Sequence, residues 1–279
     1  MTLSPGDGIC EVARRGGGSA VVRLVTRSPL RLLTPRNHGR AAWIVAGSYG
    51  GGLVDGDALR LSLRVAAGAA AYVATQSSTK VYPGAASQRF DADVGEDALL
   101  VSLPDPIVCF AGARYRQDAT IRLAPGAELV WLEGLTAGRA ARGERWLFDG
   151  YRSHTRIERG GATLVLDGLV LDPEHGPLAR RLGRFGALAT LLVVGPLRAH
   201  LLDAASAIRR GAGALVAPSP IGEDAAVCRV AAVSAETLAR ALRPLLAPVA
   251  TALGDDPFAR KGALAWEAGM ARTVDVENV

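Results

Sequence analysis

Leu59, Leu61, Leu63 and Val65 alternate with Arg60, Ser62 and Arg64. This period of two predicts a strand with one buried and one wet face. Runs of similar texture predict further strands near 20–25, 41–47, 70–75, 88–94, 99–103, 116–123, 128–133, 151–157 and 163–171. Residues 1–18 read as a loose start. After about residue 172 the pattern changes. A turn-rich break at Asp172-Pro-Glu-His-Gly-Pro177 is followed by buried strands near 188–194, 214–216 and 226–233. Leu201, Leu202, Ala205 and Ile208 keep helical spacing, with Gly211 as a stop. A second helix, capped by Ser234, carries the apolar stripe Leu238, Leu242, Leu245, Leu246 and Val249, and Pro244 and Pro248 break its later half. A short helix is expected around 261–270.

The strands recur with a period. Gly68, Asp97, Gly126 and Gly161 are 29, 29 and 35 residues apart, and Ala follows each of them. Gly and Asp tolerate the positive φ of tight turns, so the repeat predicts hairpins stacked on a shared apolar face. The expected fold is mainly β, with stacked antiparallel hairpins and sheets in a β-helix-like body and two or three helices in the C-terminal third. One domain spans 1–279: a β-rich body at 19–172, a mixed part at 173–255 and a weakly structured tail at 256–279.

Composition narrows the function classes. Aromatic residues are 5% of the chain, so Leu, Val and Ala must fill the core. The net charge of +5 comes from scattered Arg, with Lys only at 80 and 261, and no basic run with interleaved aromatics suggests nucleic acid. Three distant cysteines, Cys10, Cys109 and Cys228, do not make a disulfide framework, and no signal-peptide pattern or span-length apolar run is present. The expectation is a cytoplasmic protein without a membrane segment.

Conventional chemistry is sparse. Gly50-Gly51-Gly52 precedes a strand and lacks the Gly-Lys-Ser/Thr ending of a phosphate loop. It reads as a tight turn, and the following Asp55 and Asp57 could hold a cation or divide acid and base roles in a hydrolase or lyase. Ser77 and Ser78 lie near Lys80 on an extended segment, without an oxyanion-hole motif. The four histidines form no zinc spacing. Arg114, Arg116, Arg139 and Arg142 lie in segments rich in small residues, where arginine serves either a surface ion pair or a protein interface.

Six segments occur in order: Ser28-Pro-Leu-Arg-Leu-Leu-Thr-Pro35, Gly51-Gly-Leu-Val-Asp-Gly-Asp57, Thr75-Gln-Ser-Ser-Thr-Lys-Val-Tyr82, Pro104-Asp-Pro-Ile-Val-Cys-Phe110, Ala111-Gly-Ala-Arg-Tyr-Arg-Gln117 and Trp131-Leu-Glu-Gly-Leu-Thr-Ala-Gly-Arg139. Together they resemble the urease accessory protein D family, called H in some organisms, over about 28–170. The resemblance implies a non-enzymatic chaperone that binds accessory protein F, recruits the GTPase G through it and docks on apo-urease, with a dimer of such heterocomplexes left open. It also implies an internal passage for nickel, with no cofactor permanently bound. A conduit needs weak, exchanging oxygen contacts rather than a His/Cys cluster. Asp57, Glu133 and Asp167 are the expected transient nickel ligands, Ser77 a polar lining group, and Arg114, Arg116, Arg139 and Arg142 partner contacts.

Overall fold

A computed structural model describes residues 3–36, 38–208, 211 and 213–259. The chain opens with the antiparallel pair β1 (Asp7–Arg15) and β2 (Gly18–Thr26), followed by the antiparallel pair β3 (Leu30–Leu33) and β4 (Ala42–Ser48). The segment expected to be a loose start is therefore the full strand β1. It places Gly8, Cys10 and Val12 inward with such small side chains that its alternation was faint.

From β5 (Ala58–Val65) onward the chain alternates between two sheets. It runs through β6 (Ala70–Thr75), the short β7 (Lys80–Val81), β8 (Gly84–Val94), β9 (Leu99–Ser102), the short β10 (Ile107–Cys109), β11 (Ala113–Leu123), β12 (Glu128–Thr136), β13 (Gly150–Arg159) and β14 (Ala162–Leu171). The first sheet has the order β14-β13-β11-β8-β5-β1-β2, in which β1, β5, β8, β11 and β13 run parallel to one another and the edge strands β2 and β14 antiparallel to them. In the second sheet β4, β6, β9 and β12 are parallel. The repeated turns at Gly68, Asp97 and Gly126 are thus corners that carry the chain from one sheet to the other; only Gly161 turns an antiparallel hairpin, between β13 and β14. Spacing and turn chemistry were correctly read, but they cannot distinguish a hairpin from a corner, because both need the same positive φ.

The three corners stack by hydrogen bonds. Gly68 N donates to Glu96 O at 2.8 Å, and Asp97 N to Pro125 O at 3.2 Å. Ala69, Ala98 and Ala127 lie buried beneath them. The carbonyls of Ala69 and Ala98 accept from the next layer, Leu99 N at 2.9 Å and Glu128 N at 2.8 Å. Ala127 O instead accepts the Arg159 guanidinium at 3.1 Å, which also meets Asp224 at 3.1 Å. A side chain therefore takes the place of the next layer, satisfying a carbonyl that would otherwise cost free energy when buried.

After the short helix α1 (Leu178–Leu182), β15 (Ala187–Val194) pairs with β12, and the second sheet continues through it. Helix α2 (Leu197–Ala207) precedes the hairpin of β16 (Ala214–Ile221) and β17 (Ala225–Ala232), and the sheet order becomes β16-β17-β15-β12-β9-β6-β4-β3, with β7 and β10 on a side branch. Helix α2 stops before Gly211, at Ile208, whose extended backbone ends the helix. Ser234 caps α3 (Ala235–Leu245) by accepting Thr237 N at 3.2 Å, and the proline-marked break at Leu246 separates it from α4 (Ala247–Leu253). The expected broken helix is thus two helices, and α1 was not anticipated. The expected helix at 261–270 lies outside the described residues. Just before the expected tail, Asp255 accepts the amide of His38 at 3.0 Å.

Two apolar cores result. Leu61, Leu63, Leu100, Ile121, Leu129 and Ile157 pack between the sheets. Leu201, Leu238, Leu242, Leu245 and Leu253 pack the helices on the far face of the second sheet, against Trp43, Tyr72, Val130 and Leu191. Each fully buried Leu or Ile contributes roughly 1.5–3 kcal/mol. The outer face of the first sheet is rich in charged residues, although Leu166 and Val170 are exposed on β14, and one lateral row reads Glu11, Arg64, Asp93, Arg122 and Glu158, with alternating sign across five strands. Its contacts of 3.4 Å (Arg122 to Asp93) and 3.7 Å (Arg122 to Glu158) are exposed. Each is worth about 0–1 kcal/mol, so the row serves strand register more than stability.

Candidate functional site

The parallel stacking that puts the three corners at one end gathers the loops between β4 and β5, β6 and β8, β9 and β11, and β12 and β13 at the other. A second ladder ties them. Leu53 N donates to Lys80 O at 2.8 Å, Val108 N to Thr79 O at 2.9 Å and Phe110 N to Val81 O at 2.9 Å, and β10 runs parallel to Leu135 and Thr136. The six segments singled out in the sequence therefore adjoin this end of the body.

Arg139 fastens the outer loop. Its guanidinium binds Glu144 through both oxygens, with Nε to Oε2 at 2.8 Å, and lies 4.2 Å from the Phe110 ring centre. Glu144 also accepts the amide of Ala111. The Arg139 partner and the Ala111 amide hold the Glu144 carboxyl below its ordinary value, against a smaller upward effect of burial. Arg142 is exposed on the adjoining turn.

Glu133 is the centre of the site. It projects from β12 into the space between the sheets and is 8% exposed. Trp131 Nε1 donates to its Oε1 at 3.0 Å, and the Thr155 hydroxyl donates to the same oxygen from the opposite sheet. A buried carboxylate without such donors would be costly. Glu133 and Gly134 border two cavities. One, of about 110 Å³, lies between the sheets and includes Thr75, Ser102, Asp105, Gln88, Gln117 and Trp131. The other, of about 360 Å³, opens between β14 and β17 and includes Ser153, Asp167, Thr190 and Arg229. Nearby, the buried Tyr115 hydroxyl is 2.5 Å from Gln88 Oε1 and 3.2 Å from Gln117 Oε1. Burial raises both Tyr115 and Tyr151, so these phenols stay protonated.

The other expected residues separate into groups. Asp167 shares the larger cavity with Glu133 and is ion-paired to Arg229. Asp57 lies elsewhere, in an outer cleft of about 500 Å³ with Arg114, Arg116, Arg152 and Asp172. It accepts Val54 N at 2.9 Å and closes its own turn. Asp55 accepts Ala85 N at 2.7 Å, so both aspartates of the alternative acid–base reading brace the loop. Arg114 is exposed, and Arg116 pairs with Asp118 at 2.7 Å. Ser77 is exposed at the bend after β6, outside the linings of these three cavities. Sequence reasoning missed Thr155 and Arg229. Thr155 was signalled by its inward phase with Tyr151 and Ile157, and Arg229 by being the lone charge in an apolar strand. Among the described residues no group of three or more His, Cys, Asp or Glu is placed to hold a metal ion, and no helix is long and apolar enough to cross a membrane.

The fold and site define a two-sheet β scaffold with a polar seam between its sheets. A family model described as UreD urease accessory protein matches residues 5–262. The chain is 50% identical over 262 residues to urease accessory protein UreD of Sorangium cellulosum, covering 92% of this chain and 84% of the relative. It is 47% identical over 268 residues to the UreD of Anaeromyxobacter sp., covering 92% and 90%. Urease accessory protein D of Arabidopsis thaliana is 35% identical over 194 residues, covering 66% of each chain. The chain belongs to the UreD family of urease accessory proteins. Its role is in urease maturation, within the pathway that inserts nickel, and it is not an enzyme.

Proposed function

We propose that the protein passes nickel toward apo-urease through the seam between its sheets, with Glu133 as the carboxylate between two successive stations. The observation that carries this reading is the position of Glu133 on the wall of both cavities. Oxygen ligands suit the task, because thiolate and imidazole clusters hold nickel more tightly than a carrier can afford. Asp167 is a second transient ligand. Asp57 and Ser77 lie at the loop end, where they serve the approach to the passage rather than its interior. Arg114, Arg116, Arg139 and Arg142 surround that end and contact the partners, accessory proteins F and G and apo-urease. The chain acts as a single domain whose β-rich body is β-helix-like, and the setting is the cytoplasm.

The test is reconstituted urease activation at limiting nickel with Glu133→Gln. Glutamine retains an acceptor for Trp131 and Thr155, whereas alanine would leave both donors unpaired at about 1–3 kcal/mol each. The expected result is a normally folded protein that still binds its partners while urease receives less nickel. Wild-type nickel loading would overturn the role of Glu133.

A further inference from the structure

We propose that Arg229 is the resident counter-ion of the seam: its guanidinium occupies Asp167 at rest and is exchanged for the divalent cation in transit. This rests on the passage reading and adds how that passage avoids trapping its cargo. Glu133, Thr190 and Arg229 are paired in register across β12, β15 and β17. Arg229 faces Asp167 on β14 of the other sheet, and the two are ion-paired. All four residues border the same cavity.

Two unpaired carboxylates on the wall of one cavity would hold a doubly charged ion strongly. A guanidinium bound to one of them lowers that affinity, and its release returns the carboxylate when the ion arrives. The mobility needed is on the arginine side. The Arg229 side chain is 57% exposed and the Asp167 side chain 13%. Arginine can therefore swing into water on its long stem while the carboxylate stays on the wall. Because arginine stays charged at any physiological pH, the exchange depends on the arriving ion rather than on a proton.

The experiment compares Ni2+ binding and chelator-triggered release for the full-length wild type, Arg229→Gln, Arg229→Lys and Glu133→Gln. Removing a unit charge a few ångströms from a divalent ion is expected to tighten Ni2+ binding roughly ten- to hundredfold in Arg229→Gln, with slower release. Arg229→Lys, which keeps the charge, stays near wild type. Wild-type affinity and release in Arg229→Gln, with weakened binding in Glu133→Gln, would overturn the counter-ion role and leave the passage standing. Unchanged binding in both variants would overturn the passage and the counter-ion together. A second measurement needs no variant: the Arg229 guanidinium Nε resonance, followed by NMR with Zn2+ as a diamagnetic probe, should shift and narrow on loading. A signal unmoved at saturating Zn2+ would refute the exchange.

Discussion

Asp97 sits directly over Gly126 in the stack of corners, and a Cβ on residue 126 would overlap its carboxylate oxygen. Both residues have positive φ, 52° and 69°. Gly126→Ala is therefore expected to lose roughly 2–4 kcal/mol, from left-handed backbone strain and from the clash. Asp97→Gly in the same chain should restore the clash component, and urea unfolding of both singles and the double would show it. Strictly additive losses would mean that the two corners do not touch.

Gly52 has a different reason for being glycine. Its φ is not in the left-handed region, but a Cβ there would lie 2.7 Å from Tyr82 Cε2 and 2.8 Å from Lys80 O. Gly52→Val should disturb the loop ladder at the functional end and cost at least about 2 kcal/mol. Tyr82→Ala should recover part of this, although the backbone contact remains. An unchanged melting temperature for Gly52→Val would contradict the packing described.

The Arg139–Glu144 latch should respond to acid. The folded carboxyl of Glu144 lies below its ordinary 4.5. A depressed carboxylate adds stability that is complete above its unfolded value and disappears as pH falls through the folded one. Wild type should therefore exceed Glu144→Gln in stability at pH 7, and the gap should close as pH drops below about 4.5. Denaturant midpoints measured from pH 7 to pH 3 would test this, and a gap independent of pH would exclude an ionic latch.

Burial pushes the thiols of Cys10 and Cys109 up to about 12 and that of Cys228 to about 11. Thiolate is the reactive and metal-binding form. The native protein should show negligible reaction with a disulfide reagent at pH 8, and all three cysteines should react once it is unfolded in guanidinium chloride. Rapid labelling of the native chain would place a thiol within reach of solvent and of passing nickel.

The period of alternating Leu59, Leu61 and Leu63 was enough to predict β5, and the 29-residue spacing of the corner residues was enough to predict a stacked body. The corner at Gly68 shows where such reading ends. Its positive φ is a local property, whereas the sheet that the next strand joins depends on contacts some thirty residues away. The same holds for the site. Glu133 stood out within its segment, but Thr155 and Arg229 acquire meaning only when β13 and β17 are brought against β12. Asp57 carried the right chemistry for a ligand, yet its carboxylate is engaged by the amide of Val54 three residues earlier, a local bond that composition cannot weigh against a distant one.

Arg159 has a consequence for how this chain behaves in a crowd. Layered β proteins that end in bare, level backbone invite another molecule to join at the tip and grow into fibres. With its guanidinium on Ala127 O and Asp224, Arg159 makes that corner a finished surface, so neighbouring molecules find nothing there to template on.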